Sequence, residues 1–461
     1  MTLPDPVRQQ ADARPGAPAL LTPSTTWTWA DLDRRVVAAA RALVGRERVA
    51  VRAETSPELV VLVLAALRAG TLLAPLSTRW AAPTVAEALA RLGLDLLYTD
   101  ASVDGVTQAP LADLLATAWP DGERVADIPF DRPFTVVHTS GSTGAPKAVL
   151  HTIGNHVWSA RGVIERMGVD EDCRWLLDLP LYHVGGLGVV VRCALAGAAL
   201  VLPDGASTPD AIGTLRPTHA SFVATQLDRL LDADADLSSL RAVLLGGSAI
   251  PARLLDRAVA SGVPVTTSYG MTEATATITA TVPGTDRPAL ATSGPPLAHR
   301  RVRVASDGEI RVAGPTVAGT WGPDGPEPPP EWLATGDLGY LDAAGRLVVT
   351  GRADLQFVSG GENVRPERIE AALAALPGVA QAVVVPVPDR TFGARPVAFV
   401  RTADGAAPDG PSLATALRER LAGFEVPVAF HAWRGAEGLK PNRPALTREA
   451  ERRAAESQSK G

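Results

Sequence analysis

The residues best placed to do chemistry lie in the stretch Phe134 to Val149, FTVVHTSGSTGAPKAV, where a β-branched run enters a loop of Thr139, Ser140, Gly141, Ser142, Thr143, Gly144, Ala145, Pro146 and Lys147. Bare glycine amides let the main chain approach phosphate oxygens closely, the hydroxyls add donors, and the lysine adds charge. The spacing is not that of Walker A, because Gly141 is followed five positions later by Pro146 rather than glycine. A glycine-rich surface turn would account for the glycines. It would not account for three classes of phosphate ligand together after a buried strand.

Other residue types point to companion roles. Tyr269 in SYGMTEA, expected just after a strand, offers an aromatic face for a purine base, and Glu273 offers a hard carboxylate oxygen suited to Mg²⁺ beside phosphates. Taken alone, Tyr269 reads by default as a core aromatic and Glu273 as an exposed helix-start charge. Asp337 stands in a Thr-Gly-Asp sequence, where it could simply cap a turn. Arg192 lies within the apolar run Leu187 to Leu195, and an arginine there needs a partner. That partner is either a structural Asp or Glu or the carboxylate of a ligand held by two parallel hydrogen bonds. His183 either lines a pocket or bonds the backbone. None of the seven histidines forms a zinc spacing, and Cys173 and Cys193 stand in no paired spacing.

Composition narrows the class. A chain of 461 residues allows two to four domains with real cores, and Gly plus Pro at 42 and 39 residues indicates many turns. A formal net charge of -6 supplies no overall positive field toward nucleic acid or anionic lipid. The N-terminal MTLPDPVRQQ has no apolar segment of the targeting kind, and the run Leu59 to Leu67 is too short to span a bilayer. A cytoplasmic enzyme acting on small molecules is the expectation, with no nucleic-acid partner and no membrane insertion.

The elements that must hold these residues follow from patterning. Helices are expected at Trp29 to Leu43 and from Ser56 to Leu67, with Ser56-Pro57 as cap and first position and Gly70 as the stop. Strands are expected at Arg48 to Arg52, Leu200 to Pro203, His219 to Val223, Ala242 to Leu245 and Val263 to Ser268. This alternation predicts an α/β fold of helix-covered parallel sheets with ligands at the loops after the strands. Ser293 to Val349 reads as a β-rich subdomain, with Glu309 to Val312 and Arg346 to Thr350 as strands and the proline-rich Gly322 to Pro330 as an exposed loop. After Gly351 a small α+β domain is expected: a helix at Pro366 to Ala374, strands at Ala380 to Val387 and Val397 to Arg401, and a helix near Ser412 to Leu421. The closing EAERRAAESQSKG is polar and expected to fray. The domains expected are therefore 1–351 and 352–461.

Several segments in this order resemble the adenylate-forming superfamily of acyl-CoA synthetases and other AMP-binding enzymes: TSGSTGAPKAV, LLGGSAIP at Leu244 to Pro251, SYGMTEA at Ser268 to Ala274, ATGDLGYLD at Ala334 to Asp342, and GRADLQFVSGGENVRPERIE at Gly351 to Glu370. The resemblance implies that ATP is bound by Thr139, Ser140, Gly141, Ser142, Thr143, Gly144 and Lys147, by Gly246, Gly247 and Ser248, and by Ser268, Tyr269, Gly270 and Met271. It implies that Asp337, assisted by Arg352, accepts from the ribose hydroxyls, that Thr272 contacts the α-phosphate, and that Glu273 holds Mg²⁺. Asp354 is implied as the hinge of a C-domain rotation, with Ser359 to Asn363 facing the centre in the second state. The usual Gly-Lys near the C-terminus is absent, but GLKPNRPALTRE gives Lys440, Arg443 and Leu446 a matching Lys-x-x-Arg-x-x-Leu spacing, which carries the catalytic lysine to Lys440.

A narrower resemblance, to the o-succinylbenzoate-CoA ligase family of menaquinone biosynthesis, rests on LDLPLYHVGGLGVVVRCALAGAAL at Leu177 to Leu200 and THASFVATQLDRLLD at Thr218 to Asp232, although Ala224 stands where proline is more usual. It implies an aromatic keto-diacid substrate near His183 and Arg192, with ATP, Mg²⁺ and coenzyme A. A different acid-CoA ligase or a carrier-protein adenylating enzyme would share the nucleotide residues. The expected partners are the carboxylic acid, ATP and CoA, with a homodimer left open.

Overall fold

The structure, a computed structural model, describes residues 1–115, 127–139, 147–433 and 442–458. Two eight-stranded sheets dominate it. The first runs, in spatial order, Gly325–Glu327, Gly319–Gly322, Lys147–Thr152, Pro133–Thr139, Leu72–Pro75, Arg48–Val51, Leu97–Tyr98 and Gln108–Ala109. The second runs Ala276–Ala280, Val265–Met271, Ala242–Leu245, His219–Phe222, Arg174–Leu176, Ala199–Val201, Pro18–Leu21 and Thr26–Thr28. The central strands of each are parallel, as the strand-helix alternation requires.

Helices Pro57–Ala69 and Val184–Ala196 are apolar almost all round and buried along nearly their whole length. Such helices have no solvent face to offer and belong inside a core. They share one cluster with Trp29, Trp175 and Phe134, from both sheets and their covering helices. Local signals set their ends. Ser56 Oγ accepts from Leu59 N, and Gly70 closes the helix at φ 75°. The first predicted helix is observed at Trp29–Leu43, started by a reciprocal Thr28–Asp31 capping box.

The β-rich stretch forms a four-stranded antiparallel sheet of Arg301–Val304, Glu309–Ala313, Leu333–Leu341 and Leu347–Arg352. Part of the expected 322–330 loop is instead the edge hairpin Gly319–Gly322 and Gly325–Glu327. Pro326 lies opposite Trp321 on the outermost strand, where a missing N–H costs no ladder bond. Trp321 itself is anchored by donating Nε1–H to the Arg91 carbonyl at 3.1 Å.

The C-terminal unit has a five-stranded sheet, in which Val379–Asp389 pairs with Gly393–Thr402, covered by helices Pro366–Ala374 and Gly410–Arg418. The described part of the closing stretch differs from expectation, since it belongs to the helix Arg443–Gln458. Leu446 and Ala450 pack against Val383, Val385 and Phe399, a docking that its polar composition conceals.

Candidate active site

Strand pairing and side-chain hydrogen bonds bring Gly246, Ser268, Tyr269, Asp337 and Arg352 together beyond the carboxyl ends of adjacent parallel strands. Thr139 and Lys147 face each other as the last and first residues of an antiparallel pair, so the phosphate-type loop closes a hairpin. Ser140, Gly141, Ser142, Thr143 and Gly144 lie outside the described residues. Gly246, Gly247 and Ser248 follow the Ala242–Leu245 strand, beside Ser268 on the neighbouring strand. Ser268 donates to the Leu245 carbonyl at 3.0 Å, and a Cβ at Gly246 would fall 2.4 Å from Ser268 Oγ. Only glycine permits that approach.

Tyr269, Gly270 and Met271 lie within the Val265–Met271 strand rather than after it, because pairing with Ala276–Ala280 extends the strand. Asp337 likewise sits inside the Leu333–Leu341 strand, next to a kink at Gly336 with φ 72°. Tyr269 Oη donates to Asp337 Oδ2 at 2.6 Å, and Arg352 Nη1 donates to Asp337 Oδ1 at 3.1 Å. Burial, followed by the Asp337 charge, pushes the Tyr269 phenol well above its ordinary value, so it remains a donor.

Arg352 also forks onto Asp354, Nε to Oδ1 at 2.7 Å and Nη2 to Oδ2 at 2.9 Å. This bond raises the guanidinium's pKa and holds the Asp354 carboxyl below the usual range. The residue implied as the hinge is therefore ion-paired to the one implied to assist at the ribose. Sequence reasoning missed Glu367 on the Pro366–Ala374 helix. It accepts the Arg352 backbone N–H at 3.2 Å, its other oxygen is buried without a hydrogen-bond partner, and burial raises its pKa. It lies inside the quoted segment Gly351 to Glu370, but that resemblance assigned it no role and its partner is a main-chain group.

Thr272 and Glu273 occupy a single 3-10 turn, Thr272–Ala274. The Glu273 backbone carbonyl accepts from Ala318 N at 2.9 Å, whereas its half-buried carboxylate has no hydrogen bond or ion pair to a described residue. An uncommitted carboxylate is the kind of ligand Mg²⁺ uses, since that ion takes few protein ligands and completes its shell with phosphate and water. Among the described residues no group of three or more His, Cys, Asp or Glu is arranged to hold a metal by itself.

Arg192 is 2% exposed, with Cζ 4.3 Å from the Trp175 ring centre. Its Nε and Nη1 are buried with no hydrogen-bond partner, and no carboxylate pairs with it among the described residues. Burial lowers its pKa to about 10, so it stays cationic at neutral pH. Trp175 is fixed by donating to Ser221 Oγ at 3.2 Å and by stacking on His219. His183 is exposed at the start of the Val184–Ala196 helix, its ring 4.7 Å from that of Tyr182. Lys440 lies outside the described residues, while Arg443 is bound to Glu370 at 2.8 and 2.9 Å.

Residues 7–321 match the AMP-binding enzyme family and residues 368–436 match the AMP-binding enzyme C-terminal domain. Among curated relatives, the 2-succinylbenzoate–CoA ligase of Salmonella typhimurium is 35% identical over 93% of this chain and 94% of that protein. The Bacillus subtilis o-succinylbenzoate CoA synthetase, solved with its acyl-adenylate intermediate, superposes with a TM-score of 0.87 at 30% identity, covering 97% of this chain and 98% of that one. The same enzyme with ATP and magnesium gives a TM-score of 0.86 at 30% identity, covering 97% of this chain and all, 100%, of that one. No described helix is long and apolar enough to cross a membrane.

Proposed function

The chain belongs to the AMP-binding enzyme family, and on that premise we propose that it is an ATP- and Mg²⁺-dependent o-succinylbenzoate–CoA ligase. In the first half-reaction a substrate carboxylate oxygen attacks the α-phosphorus of ATP, and pyrophosphate leaves as the acyl-adenylate forms. In the second, the CoA thiol loses its proton, attacks the acyl carbonyl and displaces AMP. No protein nucleophile is required. Tyr269, Asp337 and Arg352 hold the nucleoside, Thr139 and Lys147 bind phosphate oxygens, and Thr272 orients the α-phosphate. Glu273 would hold Mg²⁺, which would supply positive charge against that of the phosphates. Lys440 serves adenylation, and residues 352–461 turn about Asp354 between the steps. The reaction takes place in the cytoplasm.

The observation that carries the substrate assignment is Arg192, a buried cation whose Nε and Nη1 are left without a hydrogen-bond partner by the protein itself. A diacid with one reacting carboxylate supplies the missing anion with the other. Thioester formation from o-succinylbenzoate and from an analogue whose second carboxylate is neutral tests this in wild type and Arg192→Ala. Removing either partner should cost roughly 2 to 5 kcal/mol, and removing both little more. Simple addition of the two losses would make Arg192 structural. Preference of the wild type for a monocarboxylic acid would overturn the substrate assignment.

A further inference from the structure

Thr135, His151 and His156 form a buried polar chain behind the Thr272 turn, with exposures of 0%, 0% and 1%. His151 Nε2 lies 2.8 Å from the Thr272 carbonyl oxygen, and Thr135 Oγ1 lies 3.2 Å from His151 Nδ1 and 2.9 Å from His156 Nε2. The carbonyl sets the direction of every bond. It can only accept, so His151 carries its proton on Nε2 and leaves Nδ1 bare. Thr135 must then donate to Nδ1, and its oxygen accepts from His156 Nε2–H. This order ends in a bare His156 Nδ1, and that atom is indeed buried without a hydrogen-bond partner.

The turn needs such anchoring. Immediately after Thr272–Ala274, Thr275 and Ala276 take φ values of 52° and 71°, a left-handed conformation that a β-branched residue rarely adopts. A Cβ at Gly270 would lie 1.9 Å from the Ala276 carbonyl oxygen, so the strand leading in is pressed against the residue leading out. Buried hydrogen bonds fasten the far side: Thr275 Oγ1 donates to the Thr316 carbonyl at 2.7 Å, and Ser159 Oγ donates to the Thr275 carbonyl. His151 is the side-chain anchor on the near side, at the residue assigned to the α-phosphate.

We propose that His151 is a positioning residue for adenylation: fixed in one tautomer by Thr135 and His156, it donates to the Thr272 carbonyl and holds the turn that presents Thr272 and Glu273 to the nucleotide. This rests on the assignment of those two residues to ATP and Mg²⁺. Small misplacements at reacting groups can cost roughly 10- to 100-fold in rate. His151→Leu should therefore lose that much kcat in acid-dependent pyrophosphate release, at saturating ATP and in folded protein. His151→Gln, which keeps an amide donor, should recover most of it. Thr135→Val should also lower kcat, because the tautomer is no longer set. Val157→Ala, a truncation in the apolar core next to His156 in the chain, should cost stability without that rate loss.

The proposal falls if folded His151→Leu adenylates at the wild-type rate, or if His151→Gln is damaged as severely as His151→Leu. Should His151→Leu not fold, wild-type kcat in both His151→Gln and Thr135→Val overturns it equally. Thr272→Val separates the two layers of the argument. A wild-type rate in that variant removes the underlying assignment of Thr272, and this proposal with it, whereas a slowed Thr272→Val beside unaffected His151 variants defeats this proposal alone.

Discussion

Asp337 receives a phenol on one oxygen and a guanidinium on the other, at 2.6 and 3.1 Å, and each oxygen retains a lone pair for a further donor. A ribose with two adjacent hydroxyls can therefore bind without breaking either bond. Asp337→Asn keeps the shape but removes the charge and turns one acceptor into a donor facing Arg352 or Tyr269. Hydrogen bonds to charged groups contribute about 1.5 to 3 kcal/mol, so KM for ATP in pyrophosphate exchange should rise by roughly 10-fold or more. Because ribose contacts hold ground state and transition state alike, kcat should change less than KM. A variant with unchanged KM would place the ribose elsewhere.

Between the strand Leu347–Arg352 and the hairpin of Phe357–Ser359 and Glu362–Val364, the chain makes the single 3-10 turn Ala353–Leu355 that contains Asp354. The Arg352–Asp354 fork and the Arg352 N–H bond to Glu367 both hold this turn in the orientation observed. Asp354→Pro fixes φ and removes the carboxylate, whereas Asp354→Ala removes the carboxylate alone. If rotation at this position separates the half-reactions, the proline variant should keep adenylation yet lose thioester formation from supplied acyl-adenylate, and the alanine variant should keep both. Equal behaviour of the two would leave no role for backbone rotation at Asp354. Elements with local punctuation were legible from sequence. Thr28, Ser56 and Gly70 mark helix ends by chemistry within a few residues of the boundary, and the predicted Pro366–Ala374 helix is found with Pro366 at its first position. Features set by distant partners were not. The edge hairpin depends on a sheet built from residues near 150, and the last helix depends on Arg443 reaching Glu370 and the Val384 carbonyl. Among site residues, Tyr269, Glu273, Asp337 and Arg192 stood out by type and surroundings, while Glu367 and His151 act on backbone atoms that no side-chain pattern reveals.

At the scale of the whole molecule, two sheets closed around apolar helices leave several imidazoles without water. Burial lowers the pKa of His138 and of His151 to about 4 and that of His156 well below the ordinary 6.5, and His219 shifts the same way. A depressed histidine makes stability depend on pH with a definite sign. Above pH 6.5 both folded and unfolded chains carry neutral rings, and nothing is lost. As pH falls below 6.5 the unfolded chain takes up protons while the folded one does not until about 4, so the unfolded state gains and the fold weakens across that window. By about pH 5 the lag should cost about 2 kcal/mol for each of His138 and His151, at 1.4 kcal/mol per unit. Carboxylates with lowered values, such as Asp354, weaken the fold only at more acid pH, which separates the two contributions. Urea midpoints at about pH 7.5 and about pH 5 should therefore differ markedly in wild type. His151→Gln, whatever its stability at the higher pH, should lose less on acidification by about the one-histidine share, because glutamine does not titrate. If the variant loses as much as the wild type over that interval, folded His151 takes up its proton in step with the unfolded chain and burial does not depress it. The Thr135–His151–Thr272 order of donors would then not persist at about pH 5, because a charged ring has to donate at both nitrogens.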